Sequence, residues 1–156
     1  MKLPILGLAA SAALITAAAA PAMAQQLEGP YTYTADMKPS LATPPVDSKA
    51  TGHGKLTLSG HTLRYSISVS DLSGPATMAH IHVGQPGVSG PPVYTFAIKK
   101  VASGTLAEGT IDLSAHPAKG ISGDSLRVLI NNGSAYINVH TAAHPSGEIR
   151  GQIVKE

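Results

Sequence analysis

The stretch GKLTLSGHTLRYSISVSDL, residues 54–72, alternates apolar and polar side chains on both sides of a Ser-Gly pair. The apolar positions are Leu56, Leu58, Leu63, Tyr65, Ile67 and Val69. Alternation with period two places one face of a strand in a core and the other toward solvent. Two such runs joined by a short turn containing glycine predict a β-hairpin.

Further short runs of strand character follow this hairpin. They are PPVYTFAIK (91–99), GTIDLS (109–114), AYINVHT (135–141) and EIRGQIV (148–154). Turn signals recur about every 8 to 12 residues, as is typical of all-β sandwiches. We therefore expect an all-β fold, an antiparallel immunoglobulin-like β-sandwich with Greek-key connections.

One segment has helical spacing instead. Leu126, Leu129 and Ile130 recur at i, i+3 and i+4. Ser122 or Asp124 is available as the N-cap, and Gly133 as the stop. The sequence predicts one short helix there.

The first residues have the pattern of an export signal. Lys2 precedes a long apolar stretch, and Ala22 and Ala24 frame Met23 as in an A-x-A cleavage site. The alternative is an uncleaved anchor, since about 18 apolar residues is near the lower limit for spanning a bilayer. The small residues favour cleavage after Ala24, so we expect residues 1–24 to be a signal peptide and the mature protein to be periplasmic or secreted, with no membrane span.

The rest of the chain divides into two parts. Residues 25–50 mix Pro, Ser, Thr and Lys, which predicts a flexible N-terminal segment with YTYT (31–34) as a candidate edge strand. Residues 51–156 are expected to form the β-sandwich core as one domain.

Composition excludes several functions. The net charge is +2 without any basic run, which argues against nucleic acid and against electrostatic membrane binding. The chain has no cysteine, so it has neither a disulfide framework nor a thiolate metal site. Histidines and carboxylates would have to hold any metal ion.

Histidines are the residues that point to a function. In ATMAHIHVG (76–84), His80 and His82 lie on one side of a strand, about 6.5 to 7 Å apart at Cα. Two imidazoles can converge on one ion but bind it weakly alone. His140 ends a later strand on its polar face, and His144 follows in a loop. If the two strands are neighbours, these four histidines could hold copper or zinc.

The alternative is a polar network without metal. The polar residues near the histidines are Tyr136, Asn138, Glu148 and Arg150. They could hydrogen-bond to the imidazoles structurally, or orient them around an ion. His53, His61 and His116 lie in turn-like or strand-start contexts and are not predicted as ligands.

Other catalytic motifs are missing. The chain has no G-x-S-x-G nucleophile elbow. GQPGVSGPP (84–92) lacks the lysine and the helix context of a phosphate-binding loop. It is interpreted as a turn that reverses the chain, and a close backbone approach is the alternative.

These motifs together resemble the CHRD domain, first described in chordin and widespread in exported bacterial proteins. AHIHVGQPGVSGPPVYTF (79–96), GTIDLS, the helical segment and AYINVHTAAHPSGEIRGQI (135–153) carry the resemblance, which covers roughly residues 31–154. It implies an immunoglobulin-like sandwich in an extracytoplasmic protein and no defined biochemical role. His80, His82 and His140 match the family's A-H-I-H and V-H-T elements, whereas His144 stands where the family often has Asn or another polar residue.

The H-x-H strand followed by a later histidine is also similar to the copper-site layout of Cu,Zn superoxide dismutases. Because the chain lacks their disulfide and a zinc-loop His/Asp series, such an activity would use copper alone. Our first hypothesis is an exported protein that binds copper, or as second choice zinc, with superoxide dismutation as an extension. The alternative is a non-catalytic binding or structural module that contacts a protein or cell-envelope partner.

Overall fold

The computed structural model describes residues 29–115 and 119–156, so the predicted signal peptide and His116 lie outside the described residues. The elements are β1 (Tyr31–Met37), a 3-10 helix (Pro39–Leu41), β2 (Thr51–Ser59), β3 (Thr62–Ser70), β4 (Ala76–Val83), β5 (Pro92–Thr95), β6 (Gly104–Asp112), α1 (Gly123–Asn131), β7 (Ala135–Thr141), β8 (Ile149–Gln152) and β9 (Val154–Lys155). No helix among these residues is long and apolar enough to span a membrane.

The strands form two antiparallel sheets. Their orders are β6-β3-β2-β1-β9 and β5-β4-β7-β8. Buried residues from both sheets form one hydrophobic core, including Tyr33 and Leu56 from the first and Ile81 and Ile137 from the second. The predicted all-β class with one short helix is confirmed, and the arrangement is sandwich-like. The immunoglobulin-like Greek-key topology stays a prediction.

The predicted hairpin is present as β2 and β3. Leu56 pairs with Tyr65 and Leu58 with Leu63, so that their apolar faces coincide. Gly60 takes up a φ of 54° in the connecting turn, a conformation that glycine adopts without steric cost.

Strand β1 differs from the expected edge strand. It lies between β2 and β9 and pairs with β2 from Tyr31 to Met37. The side chains of Tyr33, Ala35 and Met37 are fully buried. The YTYT run therefore continues through residue 37 as a strand whose apolar face belongs to the core.

Helix α1 begins and ends as the sequence predicts. The Ser122 hydroxyl caps the first turn by accepting a hydrogen bond from the Ser125 N–H at 3.1 Å. At the other end, Gly133 has a φ of 74° and the Ser134 N–H donates to the Leu129 carbonyl at 2.8 Å. This hydrogen bond to the carbonyl five residues earlier and the left-handed glycine are the features of a Schellman motif.

Candidate metal centre

The strands that carry the histidines are neighbours. In the β4–β7 pair, Met78 lies opposite His140, His80 opposite Asn138, and His82 opposite Tyr136. The intervening residues are buried in the core between the sheets, namely Ala79, Ile81, Ile137 and Val139. Because side chains alternate along a strand, the histidines share the outer face of this sheet.

Three of the four predicted ligands come together there. His80, His82 and His140 each offer one ring nitrogen, and these nitrogens lie within 4.8 Å of one another. Nδ1 of His80 is 3.1 Å from Nε2 of His140. Ligand nitrogens at about 2.0 to 2.1 Å from one ion are separated by about 3.3 Å at a tetrahedral angle. Small side-chain rotations would therefore bring all three nitrogens within bonding distance of one ion. We call these three residues the three-histidine cluster.

Backbone carbonyls fix the tautomers of two of these rings. Nδ1 of His82 lies 2.8 Å from the Gly90 carbonyl oxygen, and Nδ1 of His140 lies 2.9 Å from that of Pro145. A carbonyl only accepts, so each Nδ1 must carry the proton. The Nε2 lone pair of both rings is thereby directed into the cluster, which is how proteins orient metal-binding imidazoles.

One of these lone pairs has no partner. Nε2 of His82 is buried and makes no hydrogen bond among the described residues. Buried polar atoms are nearly always paired, because an unpaired one forfeits its hydration. An ion at the centre of the cluster would satisfy this nitrogen, so the residues present fit a metal ion.

The cluster is also uncharged at neutral pH. Burial, followed by the neighbouring His140 and His82, lowers the pKa of His80 to about 4. Burial likewise lowers the pKa values of His82 and His140. The hydrogen bond from each ring to its carbonyl partner raises the pKa, but by less than burial lowers it. Metals bind the neutral imidazole, so all three rings already have the charge state that an ion requires.

The loop GQPGVSGPP supplies backbone contacts to the cluster, which the favoured interpretation as a simple turn does not predict. Gly90 packs so tightly that a Cβ there would lie 1.6 Å from the Val83 carbonyl oxygen. This close approach brings the Gly90 carbonyl to His82 and its N–H to within 3.1 Å of the Tyr136 hydroxyl oxygen. The alternative of a close backbone approach therefore describes the loop, which does more than reverse the chain.

Tyr136 and Arg150 lie beside the cluster. The Tyr136 ring stacks on His82 with centroids 4.9 Å apart, and the Arg150 guanidinium lies 3.6 Å from the Tyr136 centroid. Arg150 also donates to the Thr43 hydroxyl and to the Gln85 carbonyl, at 2.9 and 2.8 Å. It thus holds two loops against the ring that supports His82.

Asn138 lies on the same face of the sheet, opposite His80. Its Nδ2 donates to the Ser146 carbonyl at 3.2 Å and lies 3.5 Å from Nε2 of His140. A cleft of about 230 Å³ opens over this surface, bordered by His82, Tyr136, Asn138 and Arg150. The cleft reaches the cluster at His82.

The structure places the other two predicted residues elsewhere. His144 lies in the β7–β8 loop, outside the group of three, where its N–H donates to the Thr141 carbonyl at 3.2 Å. Glu148 is fully buried against the hydroxyls of Ser48, Ser73 and Thr141. Strand β8 begins only at Ile149, so the side chain of Glu148 does not follow Arg150 onto the outer face.

The remaining described histidines make surface contacts. His53 lies 2.8 Å from the Asp36 carboxylate, and His61 lies 3.0 Å from that of Asp124. Both histidines are exposed, so these are pairs of the kind that contribute little to stability.

The fold and the site together define an all-β protein of two antiparallel sheets, with the three-histidine cluster on the outer face of one sheet. The family model of the CHRD domain matches residues 33–153, about three quarters of the chain. The chain therefore belongs to the CHRD domain family. No solved structure matches the chain.

Proposed function

We propose that this protein binds a copper ion, or as second choice zinc, through His80, His82 and His140. The observation that carries the proposal is that ring nitrogens of three neutral imidazoles lie within 4.8 Å of one another, while the buried Nε2 of His82 has no partner among the described residues. A metal ion bound by the three rings would satisfy that nitrogen.

The donor set favours copper over zinc. Imidazole nitrogen suits both ions, and in the usual order of affinities copper(II) binds a given nitrogen site more tightly than zinc. Three protein ligands leave a coordination position open, as in catalytic rather than structural metal sites. Bound copper would supply one-electron chemistry at that position.

An extension of this proposal is superoxide dismutation, in which two superoxide ions and two protons give O₂ and hydrogen peroxide. The cleft beside His82 supports it, because a redox site needs access for a small substrate. The copper-loaded protein should accelerate dismutation beyond free copper carried through the same chelation. Equal rates would remove the activity while leaving metal binding intact.

Metal titration tests the proposal itself. The metal-free protein should take up one copper or zinc ion, and at a free-metal concentration 100 times Kd the folded state should gain about 2.7 kcal/mol. The variant H80A/H82A/H140A should lose both effects. The matched control H53A/H61A removes two exposed histidines outside the cluster and should keep both. Equal binding by the triple variant and the wild type would overturn the proposal.

We also propose that the protein is exported to the periplasm or secreted, with residues 1–24 removed. The A-x-A pattern at Ala22 and Ala24 supports this. Mass spectrometry of protein recovered from the extracytoplasmic fraction should find Gln25 at the N-terminus. Retention of the full chain in a membrane fraction would contradict it.

A further inference from the structure

Met78 is an apolar side chain left largely in solvent beside the cluster. It is 46 % exposed and lies near one end of the paired β4–β7 ladder, directly after a register shift between Ala76 and Met78. Met37, the other methionine among the described residues, is only 1 % exposed and belongs to the core. Burial in the core therefore does not explain why a methionine occupies position 78.

The register places Met78 beside two of the candidate ligand residues. Met78 lies directly opposite His140 and two residues before His80, with buried Ala79 between them. Residues directly opposite on antiparallel strands have Cβ atoms about 4.5 to 5.5 Å apart. His80 and His140 are the two rings whose nitrogens already lie 3.1 Å apart. A methionine side chain has three rotatable bonds, so its sulfur can be turned toward this pair.

We propose that the Met78 thioether is a fourth ligand of the site when the site holds copper(I). This inference rests on the proposed metal-binding function and names the residue that sets its metal preference. Three imidazole nitrogens and one sulfur complete a four-coordinate set. Soft thioether ligands select copper(I), whereas zinc in proteins takes thiolate, imidazole or carboxylate.

The exposure of Met78 fits this role. His82 and His140 are 8 % and 6 % exposed, so protein covers most of both rings, whereas Met78 and half-buried His80 border solvent more openly. A flexible ligand at the open side can bind one oxidation state without distorting the carbonyl-anchored rings. Met78 thus adds a contact for copper(I) and leaves the three-nitrogen site for zinc unchanged.

The test compares metal affinities of the wild type and Met78→Leu. Copper(I) affinity is measured anaerobically against a chromophoric copper(I) chelator, and zinc affinity against a zinc chelator. We expect Met78→Leu to lose about tenfold in copper(I) affinity, equivalent to about 1.4 kcal/mol, and to change less than twofold for zinc. Val128→Leu, at an exposed apolar site on α1, should change neither affinity.

A second readout follows the sulfur directly. With ¹³C-methyl methionine, the Met78 methyl resonance should shift on adding copper(I) and stay in place on adding zinc, while the buried Met37 resonance serves as reference. Wild-type copper(I) affinity in Met78→Leu together with an unshifted methyl would overturn the Met78 assignment. Loss of all binding in H80A/H82A/H140A alongside that result would leave the proposed metal site standing. Absence of metal binding by the wild type would remove both.

Discussion

Two polar clusters include residues of the β7–β8 hairpin, and they differ in how many of their polar atoms have hydrogen-bond partners. The Glu148 carboxylate accepts four hydrogen bonds, from the Ser48, Ser73 and Thr141 hydroxyls and from the Ser73 N–H, at 2.7 to 2.9 Å. In the three-histidine cluster, Nε2 of His82 accepts none from the described residues. The Glu148 cluster is thus satisfied within the protein, whereas the histidine cluster keeps a buried acceptor that a metal ion would satisfy.

The largest effect should come from breaking the Glu148 cluster. Glu148→Ala removes the acceptor shared by Ser48, Ser73 and Thr141 and leaves their donors without it. We expect unfolding to become easier by about 3 kcal/mol, in line with charge-assisted hydrogen bonds in a buried setting. Urea denaturation of the metal-free protein measures the change. A loss below about 1 kcal/mol would show that the Glu148 cluster contributes little.

His82→Phe should change metal-free stability only slightly and should abolish metal binding. A phenyl ring keeps the stacking on Tyr136 and removes both the unpaired Nε2 and the Nδ1–H that donates to the Gly90 carbonyl. Removing the unpaired nitrogen is nearly neutral and losing the hydrogen bond costs about 1 kcal/mol, so the metal-free protein should stay within about 2 kcal/mol of wild type. The stabilisation by copper or zinc, about 2.7 kcal/mol at 100 times Kd, should disappear. A large loss of metal-free stability with metal binding retained would make His82 a structural residue.

Gly90→Ala should weaken metal binding without touching a ligand. The new Cβ would meet the Val83 carbonyl oxygen, so the loop must move and the bond to Nδ1 of His82 is lost. Removing a group that orients a metal-binding histidine costs about 10 to 100-fold in affinity. Competition with a zinc chelator measures this. Gly74→Ala is the matched control, because nothing lies within 4 Å of its Cβ position, and an equal loss there would refute the role of Gly90.

The histidine cluster should also change how stability depends on pH. Because burial lowers the pKa of His80 to about 4, the unfolded chain binds more protons than the folded one below about pH 6.5. The metal-free protein should therefore lose stability as pH falls from about 6.5 toward 4, and H80A/H82A/H140A should lose less. Urea midpoints at several pH values test this, and parallel curves for the two proteins would contradict it.

Glu148 should lose its contribution only in a more acidic range. Burial alone would raise the pKa of Glu148, but hydrogen bonds from Ser48, Ser73 and Thr141 outweigh it and lower that pKa. Its stabilisation is complete above the unfolded value of about 4.3 and declines as pH falls from there through the folded value. Glu148→Gln should remove this loss of stability at acidic pH and leave the loss between about pH 6.5 and 4 in place. If the loss at acidic pH persists, another carboxylate causes it.

Local sequence signals predicted the parts of the fold that depend on neighbours in the chain. The β2–β3 hairpin follows from alternation around Gly60, and α1 follows from Ser122 and Gly133. The inner position of β1 was missed because Ala35 is a weak apolar signal and nothing local reveals the later pairing with β9. Such pairing depends on contacts that are distant in sequence.

The sequence also predicts only the part of the site that depends on local patterns. The H-x-H spacing gave a common face to His80 and His82, and the polar end of β7 pointed to His140. The carbonyl partners, Gly90 and Pro145, carry no signature because any residue offers a carbonyl. Glu148 and His144 were expected at the histidines, but their positions depend on where β7 ends and β8 begins.

The most direct test of the contrast between the two clusters is ¹⁵N NMR of the histidine rings, with and without one equivalent of zinc. In the metal-free protein at pH 7, His82 and His140 should be neutral with the proton on Nδ1, as their carbonyl partners require. Zinc should then shift their Nε2 resonances and leave those of the exposed His53 and His61 unchanged. Protonation at Nε2 of His82, or Nε2 resonances unmoved by zinc, would contradict the proposed metal site.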